Sequence, residues 1–354
     1  MDGAENATGG RFLSLGHECF EARKIRQALA YYRRALELGI CPESIRERLW
    51  TSLMILGDFA SAWQWSDDVL AERRRTGARC DHLPLYCRWV WNGVPLTGET
   101  VLVRCYHELG DTIQYLRYAP LLRQRCGEVI VEADPAVAPL VRSAPGVDHV
   151  VGLGDPLPPG LPDIESTELP HAFRTTLATI PANIPYVSAS PEAIRKWRRV
   201  VGHEGQFRVG LVWAADAWNQ VRSIPLVALA DLNEFSKIAL FSLQRGPEAD
   251  QQANPAFTAR IVPLEEQATG ITDTAAAIMN LHLVITVDTM VAHLAGALGK
   301  VVWVLLPFQA GWRWMLDRED SPWYPTMRLF RHCRPGEWQG VVREVTRALR
   351  KTLE

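Results

Sequence analysis

Residues 284–299 have the sequence VITVDTMVAHLAGALG. The apolar run at 283–287 predicts a buried parallel strand, and the polar pair Asp288-Thr289 ends it. The Ala- and Leu-rich remainder predicts a helix that stops at Gly299. A strand that enters a helix through a polar turn is a favourable anion site, because backbone N–H groups and the helix dipole point at the ligand.

Two side chains of this stretch bear on whether the turn binds a ligand. Thr289 supplies a hydroxyl, and His293 lies one helical turn further on, so both can face the same point. In the alternative interpretation, Asp288 is an ordinary N-cap and His293 is a packed core histidine. The spacing alone leaves both interpretations open.

The pattern D-T-x-x-x-H-L-A-x-A-L-G in this stretch resembles the donor-binding signature of the family 9 glycosyltransferases, the ADP-heptose:lipopolysaccharide heptosyltransferases and their relatives. The chain is most similar to the bacterial subgroup in which tetratricopeptide repeats precede the transferase. The matching segments are HELGDTIQYLRYAPLL (107–122), PGVDHVV (145–151), FRTTLATIP (173–181), RVGLVWA (208–214), RSIPL (222–226), ITVDTMVAHLAGALG (285–299), LLPF (305–308) and GWRWMLDREDSPWYPTMRLFR (311–331). The resemblance implies a GT-B fold, in which two Rossmann-type domains each contain a parallel sheet.

The N-terminal part of the chain contains an internal repeat. Within residues 12–75 the pattern recurs after 34 positions, which is the tetratricopeptide period, and Ala28 recurs as Ala62. Such small residues allow two antiparallel helices to cross closely. We therefore predict two tetratricopeptide repeats over residues 10–76, followed by a linker at 77–98.

Two repeats are few for an independent solenoid. We expect them to pack on the neighbouring domain through Trp50, Trp63 or Trp65, mainly as a structural appendage. Recruitment of a protein partner through the repeats is the alternative.

Strand-like and helix-like segments alternate after residue 99, which is typical of βαβ units and a parallel sheet. We predict an N-terminal, acceptor-side domain at 99–190 and a C-terminal, nucleotide-sugar-binding domain at 191–354. Predicted strands cover 100–106, 128–133, 148–153, 208–214, 238–243, 259–264, 283–287 and 301–306. Predicted helices cover 111–125, 135–143, 191–203, 273–279, 288–298 and 337–353, and a loop-rich insert covers 154–171. Two open sheets in tandem predict a ligand cleft at the carboxyl ends of their strands.

Asp111 is the candidate catalytic base of this cleft. Glycosyl transfer requires the acceptor hydroxyl to lose a proton, and Asp111 lies at the start of a predicted helix after the first strand. By resemblance, residues 110–113 match the family pattern G-D-x-I, whose aspartate is viewed as the general base. The alternative is that Asp111 merely caps the helix.

The candidate donor-binding residues lie in the second half of the chain. Arg222 matches the K/R-x-x-P region that contacts pyrophosphate in related transferases, and arginine suits bidentate phosphate contact. Gln244 and Arg245 follow another strand, and the resemblance implies that they border the nucleoside. The alternatives are a solvated loop arginine and a simple Gly-Pro turn.

A possible cleft wall follows the last predicted strand, at Pro307, Phe308 and Arg313. Arg313 stands between two tryptophans, so it either meets the ligand or stacks in a structural cage. Two features depart from the family: Met290 replaces a glycine of the donor motif, and the loop at 215–221 is short and weakly basic.

Composition restricts the function further. Lys and Arg number 38 and Asp and Glu number 40, so nucleic acid is not an expected partner. Seven cysteines without a C-x-x-C pair, together with the absence of a signal peptide or an apolar membrane span, indicate a cytoplasmic protein. No D-x-D pair occurs, so neither a metal nor another cofactor is expected.

The leading hypothesis is an inverting, metal-independent glycosyltransferase that moves a sugar from a nucleotide diphosphate sugar, ADP-heptose-like by kinship. The acceptor would be a glycan, a lipopolysaccharide or a protein. The alternative is an inactive, repeat-containing scaffold or nucleotide-binding protein with a transferase-like fold.

Overall fold

The computed structural model describes residues 2–75, 91, 93–157, 161–202 and 205–354. The chain forms two compact units, each assembled from separate segments. The first unit takes Met1–Trp89, Pro170–Ile180 and Phe308–Arg318, and the second takes Val90–Leu169, Pro181–Pro307 and Glu319–Glu354. Residues 76–90, which include most of the predicted linker, lie outside the described residues.

The first unit contains a run of four helices. They are α1 (Asp2–Glu21), α2 (Ile25–Glu37), α3 (Arg46–Leu56) and α4 (Phe59–Arg75). Ala28 and Ala62, which are 34 positions apart, are both fully buried. Gly57 ends α3 in the left-handed conformation (φ 79°), and a Cβ there would lie 2.8 Å from side-chain atoms of both Leu177 and Met315. A side chain at 57 would therefore be strained and crowded.

Aromatic side chains join these helices to the two later segments of the same unit. The ring of Trp50 lies edge-on to Trp312 with centroids 5.6 Å apart. Trp63 is buried, and its indole N–H donates to the Thr175 carbonyl at 2.7 Å. Residues 170–180 and 308–318 thus share the core of the helical unit.

The first sheet is parallel, with strand order β3-β2-β1-β4. Its strands are β1 (Leu96–Cys105), β2 (Cys126–Ala133), β3 (His149–Gly152) and β4 (Asp163–Glu165). The accompanying helices are α5 (Leu109–Tyr115), α6 (Ala119–Arg123), α7 (Ala138–Val141) and α8 (Leu169–Ala172).

Two sequence expectations for this half need correction. The predicted helix at 111–125 is divided by a 3₁₀ turn into α5 and α6, since Pro120 has no N–H to continue the helical ladder. The segment 154–171, predicted as a loop, contains β4, which pairs with β1. Its three residues are too few to show a periodic pattern.

The second sheet is parallel, with strand order β10-β9-β8-β5-β6-β7. Its strands are β5 (Phe207–Val212), β6 (Ile238–Ser242), β7 (Ile261–Pro263), β8 (Leu283–Val287), β9 (Val302–Leu306) and β10 (Met327–Arg331). The helices are α9 (Pro191–Val201), α10 (Ile271–Met279), α11 (Met290–Ala297) and α12 (Trp338–Leu353). The edge strand β10 was not predicted, and its Arg328 is exposed.

The predicted strand at 283–287 is the best-buried element of this sheet. All five of its residues are buried, because β8 lies between β5 and β9 in the middle of the sheet. Among the described residues, no helix has the length and apolar character needed to cross a bilayer.

Candidate functional site

The order of strands places a crevice in each sheet. In the second sheet β5 lies between β6 and β8, so the chain leaves these neighbouring strands toward opposite sides. In the first sheet β1 lies in the same way between β2 and β4. Ligands of open α/β sheets bind at such switch points, beyond the carboxyl ends of the strands.

The turn from β8 to α11 occupies the switch point of the second sheet. Asp288 is 9% exposed, and Thr289 is the N-cap of α11 in an extended conformation. The Thr289 side chain makes no capping hydrogen bond; its hydroxyl lies 3.2 Å from that of Thr286. The N-cap is therefore Thr289, and the first turn of α11 begins at the carboxyl end of β8.

His293 lies on the first turns of α11 and is 6% exposed. Its Nδ1 is 2.9 Å from the hydroxyl of Tyr324, and the two rings have centroids 5.7 Å apart. This contact holds the imidazole ring in one orientation.

The starts of α5 and α11 touch each other. A Cβ placed on Gly110 would lie 3.0 Å from Cδ2 of His293 and 3.6 Å from the Cα of Met290. A side chain at 110 would therefore press on the His293 ring, which would have to shift by a few tenths of an ångström. Helix α11 of the second sheet and helix α5 of the first sheet therefore meet at this point.

Asp111 follows Gly110 at that point. It lies in the first turn of α5, whose N-cap is Glu108, and its N–H donates to the Glu108 carbonyl at 3.0 Å. The residue is half-buried. The candidate base Asp111 therefore directly follows Gly110, the residue that approaches His293 of α11.

Gln244 uses its amide to hold neighbouring strand ends. Its Oε1 accepts the N–H groups of Trp213 and Ala214 at 3.1 and 2.9 Å, and its Nε2 donates to the Ala214 and Arg245 carbonyls at 3.2 and 2.9 Å. The side chain is 6% exposed. Its contacts position the start of the loop after β5.

Arg245 lies beside Gln244 and forms an ion pair with Glu265. Its Nη2 also donates to the Thr274 hydroxyl at 3.2 Å. Burial raises the pKa of Glu265, and the Arg245 guanidinium acts against that increase. Half of the Arg245 side chain is exposed, so it reaches the surface at the end of β6.

Arg222 closes the loop after β5. It is the last residue of the 3₁₀ segment Ala217–Arg222 and is half-buried. Directly after it, Ser223 accepts the N–H of Ala215 at 3.0 Å, and the Ile224 N–H donates to the Trp213 carbonyl at 2.8 Å. These bonds return the chain to the end of β5, so Arg222 is anchored at the same switch point as the β8–α11 turn.

The three residues predicted as a cleft wall divide between the two units. Pro307 directly follows β9 and is buried. Phe308 belongs to the helical unit, where its carbonyl accepts from Arg23 Nη1 at 2.6 Å. Arg313 belongs to the same unit, with its guanidinium 5.1 Å from the ring centroid of Trp312. This stacking is compatible with the structural cage, and contact of Arg313 with a ligand stays a prediction.

The sequence analysis missed a buried polar chain beside the site. Arg117 is 3% exposed; its Nη2 donates to the Tyr186 hydroxyl at 2.9 Å. Tyr186 is in turn 3.3 Å from the hydroxyl of Tyr324, the residue that contacts His293. The available signal was an arginine within the apolar stretch 115–122, YLRYAPLL.

No metal site accompanies these residues in the described ranges, where no group of three or more His, Cys, Asp or Glu side chains is arranged to hold an ion.

No protein-family model matches the chain. Over 92% of its length the chain is 23% identical to protein FlbA of Caulobacter vibrioides, of which it spans 59%. Its fold is similar to that of a family 9 glycosyl transferase from Veillonella parvula, with a TM-score of 0.55, 12% identity, and coverage of 74% of this chain and 99% of the other. It is also similar to the E. coli ADP-heptose LPS heptosyltransferase II, with a TM-score of 0.51, 14% identity, and coverage of 72% and 100%. The chain therefore has the predicted GT-B-like fold, with two parallel Rossmann-type sheets and a helical N-terminal region.

Proposed function

We propose that the protein is an inverting, metal-independent glycosyltransferase that uses a nucleotide diphosphate sugar as its donor. The observation that carries the proposal is the contact between Gly110 and His293. Gly110 precedes the candidate base, and His293 belongs to the candidate diphosphate site, so this contact supports an assignment of the two roles to neighbouring positions.

The donor diphosphate is assigned to the switch point of the second sheet. The N-terminal turn of α11 offers backbone N–H groups and a positive dipole, which suit an anion. Asp288, Thr289 and His293 lie on that turn, and Arg222 is anchored on the loop from the neighbouring strand. Positive charge and fixed donors at this point would stabilise the departing diphosphate.

Asp111 is assigned the role of general base. It would take the proton of the acceptor hydroxyl as the oxygen attacks the anomeric carbon from the face opposite the diphosphate, which inverts that carbon. Metal independence is included because the sequence has no D-x-D pair with which to bridge a metal and a diphosphate.

Gln244 and Arg245 are assigned to the nucleoside side of the donor. Gln244 would act by positioning the backbone of Trp213 and Ala214, since its amide is used there. Arg245, which is half-exposed, would contact the ribose or the base. The donor is ADP-heptose-like by kinship with the proteins of similar fold, and the acceptor is a glycan, a lipopolysaccharide precursor or a protein in the cytoplasm.

The first test is nucleotide binding. Purified protein is titrated with ADP, UDP, GDP and CMP in a thermal-shift assay and by calorimetry. Arg222→Ala and His293→Ala should each lower the affinity for the nucleoside diphosphate by roughly 10- to 100-fold. The affinity for the bare nucleoside should change much less. Arg328→Ala, an exposed arginine on β10, is the matched control. Equal losses for diphosphate and nucleoside would contradict the assignment.

The second test is turnover. Release of ADP from ADP-heptose is followed with deacylated lipopolysaccharide core or a cell protein extract as acceptor. Asp111→Asn should lower kcat roughly 100-fold or more at nearly unchanged nucleotide affinity. Asp134→Asn is the control, because Asp134 follows β2, away from the switch point. Nucleotide binding without turnover of any donor would favour the inactive, nucleotide-binding alternative.

A further inference from the structure

A continuous row of buried polar groups leads from the first half of the second unit to the candidate donor helix. It comprises Arg117, Tyr186, Tyr324 and His293, with consecutive contacts of 2.9, 3.3 and 2.9 Å. All four residues are buried, between 0 and 6% exposed. Their positions in the chain span 207 residues, so the row exists only in the folded protein.

One arrangement of the hydrogen bonds in this row, directed from Arg117 to His293, uses the proton of both tyrosine hydroxyls. A guanidinium has donors and no acceptor, so Arg117 must donate to the oxygen of Tyr186. Tyr186 then directs its own proton to the oxygen of Tyr324, and Tyr324 has its proton left for Nδ1 of His293. In this arrangement Nδ1 is an acceptor, and the proton of a neutral imidazole resides on Nε2.

The surroundings of Arg117 show why an arginine begins the row. Besides Tyr186, its guanidinium donates to the carbonyls of Gln114, Pro181 and Trp323, so its partners are neutral oxygens. Its carbon Cζ also lies 4.4 Å from the ring centroid of Tyr324. Because no carboxylate among the described residues pairs with it, the buried charge polarises the hydroxyl row toward His293.

The other side of the imidazole faces α5. The Cβ position of Gly110 is 3.0 Å from Cδ2 and 3.7 Å from Nε2 of His293. Nε2 is thus on the side where α5 and α11 meet, which is where the diphosphate and the acceptor base are assigned.

We propose that Arg117, Tyr186 and Tyr324 are positioning residues that lock His293 as the Nε2–H tautomer and hold that N–H toward the sugar-transfer cleft. The cleft role rests on the proposed function, whereas the tautomer is argued from the row of hydrogen bonds. In this arrangement His293 donates to a diphosphate oxygen without carrying a full charge. Loss of the tyrosine hydroxyl at 324 should then weaken diphosphate binding through His293, although less than loss of the histidine itself.

The tautomer is tested on the full chain without ligand. Protein labelled with ¹⁵N-histidine is studied by NMR, and the His293 signals are assigned from their loss in His293→Gln. In the wild type, Nδ1 should show the shift of an unprotonated ring nitrogen and Nε2 that of a protonated one. Tyr324→Phe keeps the ring and removes the hydroxyl, so the Nδ1–H form should become populated. A wild-type His293 protonated on Nδ1, or an unchanged tautomer in Tyr324→Phe, would overturn the proposal.

The matched control is Tyr32→Phe. Tyr32 is also fully buried, but its hydroxyl makes no hydrogen bond, so its removal should leave the His293 signals unchanged. Arg117→Met breaks the row at its origin and should shift the His293 signals in the same direction as Tyr324→Phe. If Arg117→Met fails to fold, as judged by circular dichroism, Tyr186→Phe makes the same test at the second link.

Nucleotide affinity tests the cleft role. Tyr324→Phe should weaken binding of ADP, or of whichever of ADP, UDP and GDP the wild type binds, by roughly 5- to 20-fold, and the matching nucleoside should bind with unchanged affinity. Unchanged diphosphate affinity in a folded Tyr324→Phe protein would overturn this role. If the wild type binds none of the three, the proposed function fails, and the NMR result still decides the tautomer by itself.

Discussion

Replacement of Arg23 tests whether the helical unit depends on the segment 308–318. Arg23 lies in the turn between α1 and α2 and is half-buried. Its Nη1 and Nη2 donate to the Phe308 and Leu316 carbonyls at 2.6 and 3.0 Å, and its Cζ lies 5.7 Å from the Phe308 ring centroid. One guanidinium thus holds both ends of a nine-residue stretch of chain.

The magnitude follows from these contacts. Charge-assisted hydrogen bonds contribute about 1.5–3 kcal/mol each, and the weaker stacking contributes about 0.5–1 kcal/mol. Partial exposure lets water replace some of this, so we expect Arg23→Ala to lower the free energy of unfolding by about 2 kcal/mol. For a chain of 354 residues this corresponds to a fall in melting temperature of about 3 °C.

A second substitution separates contacts from backbone strain. Arg23 is a non-glycine residue with a φ of 58°, a conformation that costs a residue with a Cβ about 1 kcal/mol. Arg23→Gly loses the same contacts but relieves this strain. It should therefore be more stable than Arg23→Ala, by about 1 kcal/mol, although glycine normally destabilises a chain.

The assay is urea denaturation of the full chain, together with hydrogen exchange of the Trp314 amide, which donates to the Gly311 carbonyl at 3.1 Å. A loss of about 2 kcal/mol corresponds to roughly 30-fold faster exchange through local opening. Arg48→Ala is the control, because Arg48 pairs with Glu21 at 2.6 Å with both side chains 41–50% exposed, and such pairs contribute less than about 1 kcal/mol. If the Arg23→Ala variant is as stable as the Arg48→Ala variant, the reasoning is refuted.

Two further predictions concern the second unit. A Cβ on Gly296 would lie 2.5 Å from Cδ1 of Tyr324, so Gly296→Ala should destabilise the chain by about 1–3 kcal/mol; Gly270→Ala, which meets nothing within 4 Å, should not, and equal melting temperatures would contradict this. Burial opposes ionisation of Asp273, but hydrogen bonds, first that from Trp197, outweigh it and lower its pKa to about 2. Since this pKa is lower than the unfolded value of about 3.9, the stabilisation is present above pH 4 or so and is lost as the pH falls toward about 2. Asp273→Asn should therefore reduce the slope of the free energy of unfolding against pH in that interval. An unchanged slope would mean that other carboxylates cause this pH dependence.

Local patterns predicted the elements that define the site. The strand at 283–287 and the helix after it were predicted within two residues at each end, because an apolar run, a polar turn and a small-residue helix are adjacent in sequence. The strand β10 was missed, since an edge strand with an exposed Arg328 lacks the continuous apolar run that marks a buried one. The strand β4 was also missed, because its three residues lie in a proline-rich segment and show no apolar run.

The candidate site was predictable only where its residues share a motif. Asp288, Thr289 and His293 lie within six positions of one another, so their convergence follows from helical geometry. Arg117 and Tyr324 are brought together across 207 positions, which no period or spacing records. The amide of Gln244 could equally have met a ligand or a backbone, and only the folded strand ends show that it binds N–H groups.

The first unit is assembled from three separate segments of the chain, which has a consequence for biosynthesis. Its four helices are synthesised first, but the segments that complete their core end at residues 180 and 318. Since synthesis proceeds at about 5–20 residues per second, Trp50 and Trp63 stay exposed for a time on the order of tens of seconds before their partners are made. During that time the nascent helices present aromatic surface to the ribosome exit and to chaperones. Slow translation or early termination should therefore harm the N-terminal third of this protein more than its place in the chain suggests.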